Sequence, residues 1–178
     1  NIDINLNELE KNYIQRINIY GNYITEERVI RNALIIDEGA PLNDILLNKS
    51  INEIKSLQIF SKVVPKIKDG SDPKQKIIDI NLEERPTGEI AAGAGIGTSG
   101  GSFMVMVTEN NWLGEGKNVG FDIEVEQDSI QGTLSFSDPN YDFLGNSLNY
   151  SLSNTTNDKP DQGYENTVTS AGVSTSFE

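Results

Sequence analysis

The sequence predicts an α+β domain followed by an all-β region of antiparallel strands. Up to residue 85, alternating apolar runs are interrupted by two segments with apolar residues at helical spacing, whereas after Gly88 the apolar period becomes two and stays there. Charge changes at the same place: residues 1–85 carry 12 Lys and Arg against 14 Asp and Glu, and residues 86–178 carry 2 against 13. A chain of 178 residues has room for two such parts.

After an alternating run at residues 1–9 that is interpreted as the last strand of a preceding domain, the first part contains three extended runs. Residues 13–20 form the first and end at the turn pair Gly21-Asn22. The other two, residues 61–68 and 76–84, are separated by a loop rich in Asp, Gly and Pro. Pro65 has no amide proton to donate to a neighbouring strand, so the run at 61–68 is predicted to lie at a sheet edge.

Two helices are predicted between the first two extended runs. Thr25 is placed to cap the first, which carries acidic residues in its first turn. Gly39 and Pro41 end that helix, and a second opens at Leu42. Its predicted buried face consists of Ile45, Leu46, Ile54 and Leu57, with Ile51 beside them. The order of the first part is therefore β-α-α-β-β.

The run at 89–98 is the weakest strand of the second part. Glycine occupies alternate positions at 93, 95 and 97. Each glycine in a strand interior gives up side-chain packing and costs roughly 0.5–1 kcal/mol relative to alanine. Either a close neighbour needs the space, or a weakly held strand serves the function.

Composition excludes several functions. With a net charge of −13, the chain has no basic surface that would release counterions from nucleic acid phosphates. It has no cysteine and no histidine, which removes thiolate ligands, the usual zinc ligand and the usual general base. The alternate acids Asp122, Glu124 and Glu126 do not converge on one point and are assigned to a solvated face. We therefore predict no enzyme, no catalytic residue, no cofactor and no metal site.

The period-two pattern of the second part fits two architectures. A transmembrane barrel places Val, Ile, Leu and Phe against lipid and Ser, Thr, Asn and acids in a wet interior. A soluble β-sandwich alternates in the same way, although its solvent face normally includes Lys and Arg, which are nearly missing here. No apolar stretch approaches the roughly 20 residues of a membrane-spanning helix. Because the chain lacks an initiator methionine, we expect it to be a piece of a longer protein.

A series of short motifs runs through both parts. They are GN at 21–22, TEERVIR at 25–31, DEGAPL at 37–42, LQIFSKV at 57–63, EERPTG at 83–88, ENNWLGEG at 109–116 and SDPNYDFLGNSLNY at 137–150. In order and spacing they resemble the last POTRA domain and the first barrel strands of the BamA family of outer-membrane assembly proteins. The resemblance begins near Tyr13 and continues to the end of the chain.

The resemblance implies an α+β POTRA domain in the periplasm and an incomplete all-β antiparallel transmembrane barrel in the bacterial outer membrane. Residues 1–12 would end a preceding POTRA domain, residues 13–87 would form the membrane-proximal one, and residues 88–178 the first six barrel strands. The implied strands are 88–98, 101–110, 116–127, 130–137, 147–156 and 165–177. Residues 157–166 would be an extracellular loop, and 112–115 and 140–146 periplasmic turns.

The resemblance also implies a function without nucleotide hydrolysis: folding and inserting outer-membrane proteins. The first barrel strand would lie at a lateral gate, a weak seam in the barrel wall, where it would pair with a strand of an unfolded client. The gate strand consists of Glu89, Ile90, Ala91, Ala92, Gly93, Ala94, Gly95, Ile96, Gly97 and Thr98. A POTRA edge that adds a client strand is the second implied site, against the alternative of an edge blunted by its lysines. It consists of Ser61, Lys62, Val63, Val64, Pro65, Lys66, Ile67 and Lys68.

Two further sets of residues follow from the resemblance. Arg28, Arg31 and Asn32 are predicted to contact an accessory lipoprotein of the Bam complex such as BamD, although the family commonly has charged residues where this chain has Asn32 and Ala33. Trp112 and Tyr141 are predicted to lie at the membrane interface, which indole and phenol rings prefer. Three alternative functions stay open: a two-partner secretion or TamA-like transporter, a passive porin-like barrel, and a soluble β-sandwich binding module.

Overall fold

The computed structural model describes residues 11–97, 100–142 and 145–177, and of Asp161 only the backbone. The described residues form two compact units. The first comprises residues up to Tyr23 together with 27–85, and the second comprises residues 24–26 together with those from Pro86 onward. No helix in the described part of the chain is long and apolar enough to cross a membrane.

The first unit is a three-stranded sheet with two helices. Strand β1 (Tyr13–Tyr20) lies parallel to β3 (Gln75–Glu84), and β2 (Phe60–Asp69) lies antiparallel to β3, which gives the order β1-β3-β2. Helices α1 (Glu27–Asn32) and α2 (Asp44–Ser56) stand between β1 and β2 in the chain. Strand β2 is an edge of this sheet, as Pro65 predicts.

The core of the first unit is almost entirely aliphatic. Alternate residues of the strands face the helices and are buried, and α2 contributes a stripe at positions i, i+4 and i+7. The buried apolar residues are Ile14, Ile17, Ile30, Ile36, Leu47, Ile51, Ile54, Ile59, Phe60, Val63, Ile78, Ile80 and Leu82.

The structure corrects the predicted buried face of the second helix. The helix begins at Asp44 and not at Leu42, because the side chain of its N-cap, Asn43, accepts hydrogen bonds from the amides of Ile45 and Leu46. With that start, Leu47 and Ile51 face the core, while Ile45 is 78% exposed. Ile51 and Ile54 are buried as expected, but the prediction that Ile45 and Leu46 join them is wrong.

The second unit is a six-stranded antiparallel sheet in which each strand pairs with the next along the chain. Its strands are β4 (Gly88–Gly97), β5 (Gly100–Trp112), β6 (Lys117–Glu126), β7 (Ser129–Asp138), β8 (Ser147–Lys159) and β9 (Tyr164–Ser176). Among the described residues the sheet is open, with β4 at one edge and β9 at the other. A short 3₁₀ turn, Pro160–Gln162, joins β8 to β9.

The two faces of this sheet differ sharply in polarity. Residues that pair across the strands share a face, so one row of neighbours shows what that face presents. One such row runs Ile90, Val107, Phe121, Leu134, Leu152 and Ala171. The adjacent row on the other face runs Ala91, Met106, Asp122, Thr133, Ser153 and Ser170. The described residues include no second sheet covering the apolar face, which a soluble sandwich would require.

The predicted loop at 157–166 is also corrected. Strand β8 continues to Lys159 and β9 begins at Tyr164, and their pairing includes Asn157 with Asn166. Gly163 closes the hairpin in the left-handed conformation, with φ of 69°. The strands therefore extend beyond the apolar band, and only a short turn separates them.

Candidate functional site

The predicted gate strand corresponds to β4, the first strand of the second sheet. It pairs with β5 along its whole length, from Gly88 opposite Glu109 to Gly97 opposite Gly100. Its other edge has no strand partner among the residues that the structure describes. All ten residues of β4 are exposed. Thr98, the last predicted gate residue, lies outside the described residues.

The glycines of β4 are not explained by close packing within the described chain. A Cβ atom added at Gly93 or Gly97 would meet no atom within 4 Å, and one at Gly95 would lie 3.2 Å from the Ser102 hydroxyl. None of the three has a positive φ that would require glycine. What remains is their effect on the strand itself: they leave β4 with few side-chain contacts to β5.

The two ends of β4 are held very differently. Near its start, the Thr87 hydroxyl donates to the Glu109 carboxylate, which also accepts from the amide of Asn111 at 2.8 Å. The amide of Asn110 donates to the Thr87 carbonyl at 3.3 Å. Toward the other end, Ile96 and Gly97 pair only with Gly101 and Gly100. Backbone bonds at that end therefore have little side-chain support.

The predicted POTRA edge lies within β2, whose only strand partner among the described residues is β3. Lys62, Lys66 and Lys68 are exposed along it, and Lys68 forms an ion pair with Asp79 at 2.5 Å. Asp79 also accepts a hydrogen bond from the Asn18 side chain at 2.9 Å. The bond from Asn18 and that from Lys68 hold the pKa of Asp79 below its usual range.

The predicted lipoprotein contact lies on α1. Arg28, Arg31 and Asn32 are all exposed. The Arg31 guanidinium donates to Glu27 at 2.6 Å and to the carbonyl of Ile17 at 3.2 Å. It also lies 3.9 Å from Glu38, beside an open pocket of about 440 Å³ lined in part by Leu34 and Ile36. A partner that uses Arg31 would therefore meet a side chain already fixed in orientation.

The predicted interface aromatics lie at the same end of the second sheet. Trp112 ends β5 and Tyr141 follows β7, and these two strands run in the same direction with β6 between them in an antiparallel meander. Both rings are partly exposed, and the Tyr141 amide donates to the Asn146 carbonyl at 3.1 Å.

Sequence reasoning missed a polar network at this end of the sheet. Asn111 is buried, and its side-chain amide donates to the Thr25 hydroxyl at 3.0 Å. Thr25 was predicted to cap a helix, but α1 begins only at Glu27. The motif ENNWLGEG contains Asn111, and nothing in its local pattern indicates a partner 86 residues away.

Comparison with known families agrees with the two units. The POTRA family, described as a surface antigen variable number repeat, matches residues 12–85, and the Omp85 superfamily domain matches residues 111–178. A POTRA domain followed by an Omp85 domain defines the class of protein that this chain resembles, the POTRA-containing outer-membrane barrels. The second sheet is accordingly located in the outer membrane and the POTRA domain in the periplasm.

Curated relatives carry a more specific name. The chain is 29% identical over 144 residues to the outer membrane protein assembly factor BamA of Neisseria meningitidis serogroup B, which is 80% of this chain and 18% of that protein. It is 30% identical over 125 residues to BamA of Buchnera aphidicola, which is 68% of this chain and 20% of that protein. The chain thus spans about a fifth of the length of these relatives.

Solved structures show the same fold. The crystal structure of BamA from Haemophilus ducreyi lacking POTRA domains 1-3 matches with a TM-score of 0.82 and 24% identity, over 92% of this chain and 32% of that one. CdiB from Acinetobacter baumannii matches with a TM-score of 0.65 and 13% identity, over 93% of this chain and 34% of that one.

Proposed function

We propose that this chain is part of an assembly factor that folds and inserts outer-membrane proteins. Residues 13–87 would be its membrane-proximal POTRA domain, 88–178 its first six barrel strands, and 1–12 the end of a preceding POTRA domain. The names of the curated relatives support this function. The clients would be unfolded outer-membrane proteins, and the protein would act by binding rather than by catalysing a covalent reaction.

The observation that carries the proposal is the open edge of β4. An edge strand exposes a row of unpaired backbone N–H and C=O groups, onto which another strand can add. The open space beside Gly93 and Gly97 leaves β4 few side-chain contacts that would resist an exchange of partners. A client strand would therefore be aligned by main-chain hydrogen bonds, largely independent of its sequence.

The polar anchor at the start of β4 supports the same mechanism. Thr87, Glu109 and Asn111 fix that end to β5, so the strand can loosen only from the glycine-rich end. A barrel wall in which β4 is firmly paired at one end and weakly paired at the other also perturbs the surrounding bilayer. We propose that this perturbation lowers the cost of entry for the client.

The β2 edge and the surface of α1 are proposed as secondary contacts. Residues 61–68 would add a client strand in transit, against the alternative that the three lysines blunt this edge. Arg28, Arg31 and Asn32 would contact an accessory lipoprotein such as BamD, with Arg31 held in place by Glu27. Trp112 and Tyr141 would lie at the membrane interface.

A transporter of the two-partner secretion or TamA-like type is the second candidate, favoured by the likeness to CdiB. It would keep the POTRA domain and the barrel but export or assemble a different set of clients. Two measurements would distinguish the assembly factor from the transporter. They are the number of POTRA domains in the full-length protein and the yield of folded client barrels compared with that of secreted protein.

The main test stiffens β4 in the full-length protein. The double variant Gly93→Val and Gly95→Val introduces β-branched side chains, and Gly93 has room for one. We expect slower assembly of client barrels, measured by heat-dependent gel mobility. Gly132→Val is the matched control, because Gly132 lies in β7 between two partner strands. Wild-type assembly rates in the double variant would contradict the proposed gate.

A crosslinking experiment locates the client. Cysteine introduced at Ala92, on the open strand, should form a disulfide with a cysteine in the terminal strand of a stalled client. Cysteine at Ile123 should not, because β6 is paired on both sides. Equal crosslinking at both positions would show that the client does not add to the β4 edge.

A further inference from the structure

The turn between β5 and β6 contains a leucine in an unfavourable backbone conformation. Leu113 has a φ of 56°, in the left-handed region that leucine seldom occupies. Its side chain is 74% exposed, so burial in the described chain does not compensate for that conformation. Asparagine or glycine would suit the backbone better. An apolar side chain at such a position indicates a contact outside the described chain.

The conformation of Leu113 is imposed by the buried network around it. Asn111 accepts from the Gly116 amide at 2.8 Å through its side chain and from the Gly114 amide at 2.9 Å through its carbonyl. These bonds close the turn on both sides of Leu113. The turn is therefore a fixed platform and not a flexible loop tip.

The same network fixes a second apolar residue. Residues 24–26 belong to the second unit, where Thr25 accepts from Asn111 and the Glu26 amide donates to the Gly114 carbonyl at 2.9 Å. A Cβ atom at Gly114 would lie 2.1 Å from the Ile24 carbonyl oxygen, so only glycine allows this approach. Ile24, held against the turn by its backbone, is 71% exposed.

The acidic residue of the turn, Glu115, is paired. It forms an ion pair with Lys117 at 2.5 Å, and Lys117 also lies 3.9 Å from Asp138. Lys117 therefore offsets the charge of Glu115, which reduces the repulsion between Glu115 and anionic lipid headgroups.

We propose that Ile24 and Leu113 join Trp112, whose interface position is part of the proposed function on which this inference rests, in an apolar rim that inserts into the headgroup–acyl boundary of the outer membrane. The rim follows the apolar face of the sheet, on which Val107 pairs with Phe121. Beyond them Glu109 pairs with Val119, and after a shift in register Trp112 pairs with Lys117. A phospholipid surface is the partner that this continuity indicates, since the strands themselves cross the membrane. The rim holds residues 24–26 at the membrane surface through the Thr25–Asn111 bond.

Site-directed spin labelling tests the rim independently of client assembly. Nitroxides are attached at Ile24→Cys and Leu113→Cys in the full-length protein, with any other cysteine replaced by serine. The protein is reconstituted in vesicles of phosphatidylethanolamine and phosphatidylglycerol. We expect both labels to collide more with oxygen than with a water-soluble nickel chelate. A label at Asp72→Cys, on an exposed loop of the first unit, is the aqueous control and should show the reverse.

Two results would overturn the proposal. Nickel collisions at positions 24 and 113 equal to those at 72 would place the rim in water. Low collision with both reagents would show that a protein surface, such as another part of the chain or a second copy, covers it. Heat-dependent gel mobility verifies that each labelled protein has folded. If Leu113→Cys does not fold, the label at position 24 decides by the same criterion.

Discussion

The two sheets of this protein are built from the same period-two pattern, but they use it in opposite ways. In the first unit, one face of β1 to β3 is covered by helices, and Ile78 and Ile80 are fully buried. In the second, Val107 and Leu134 occupy the equivalent apolar face and stay about half exposed in the described chain. Helices of the same unit cover the apolar face of the first sheet, whereas lipid covers the apolar face of the second.

The difference shows why the alternation of residues alone could not distinguish a barrel from a sandwich. Both architectures need one apolar face per strand. What separates them is whether another element of the chain covers that face, and this depends on contacts distant in sequence. Substitutions on each sheet therefore test whether its apolar face is packed against the same chain or against lipid.

The largest expected effect comes from the buried core of the first unit. Ile80→Ala should lower its free energy of unfolding by about 2–5 kcal/mol, because the protein cannot fill the cavity completely. Ile123→Ala on the apolar face of the second sheet should cost less, since acyl chains can occupy the vacated space. Hydrogen exchange of β3 and β6 amides in reconstituted full-length protein measures both. Equal losses would contradict the division into a packed core and a lipid-facing sheet.

A smaller effect is expected from arginine on opposite faces of β7. Leu134→Arg places a charge among lipid and should destabilise the barrel by about 2–4 kcal/mol near the bilayer midplane. Thr133→Arg, one residue earlier and on the polar face, should be close to neutral. Folded fractions of the full-length variants in vesicles, resolved by gel mobility, provide the measurement. A greater loss for Thr133→Arg would reverse the assignment of the two faces.

The smallest effect concerns the polar face of the first sheet. Asp79 is buried there, and its bonds from Asn18 and Lys68 lower its pKa. The unfolded state therefore binds a proton more readily, so this stabilisation is present above about pH 4 and is lost as pH falls through the lowered folded pKa. Asp79→Asn should flatten the loss of β3 amide protection between neutral and strongly acidic pH.

The exposed Asp72→Asn serves as the control for that experiment. It changes the same residue type in a loop of the same unit. An acid response of Asp79→Asn identical to that of Asp72→Asn would show that the Asp79 contacts do not contribute to the pH dependence.

Several features could be predicted from sequence because their causes are local. The order β-α-α-β-β and the edge position of β2 follow from apolar period, turn residues and Pro65, whereas the bounds of the strands in the second part came from the resemblance. Other features depended on partners elsewhere. The buried face of α2 was misassigned because the Asn43 cap and the packed sheet, not apolar content, select Leu47 over Ile45.

The error at 157–166 has a different physical origin. The resemblance implied a loop there, yet Asn157 donates to Asn166 across two paired strands. Once a strand extends beyond the lipid, neither face needs apolar residues, and the period-two signal disappears while the backbone pairing continues. Sequence can therefore locate the membrane-facing part of such strands better than their ends.

Residue types and their spacing are enough to predict which residues share a face, where the charge changes and which strand is poorest in side chains. Three other features become visible only in the folded chain. Gly93 and Gly97 face open space, Thr25 bonds to Asn111, and the apolar face of the second sheet has no cover within the described residues. Each of these is a relation between residues far apart in the chain, so no local pattern encodes it.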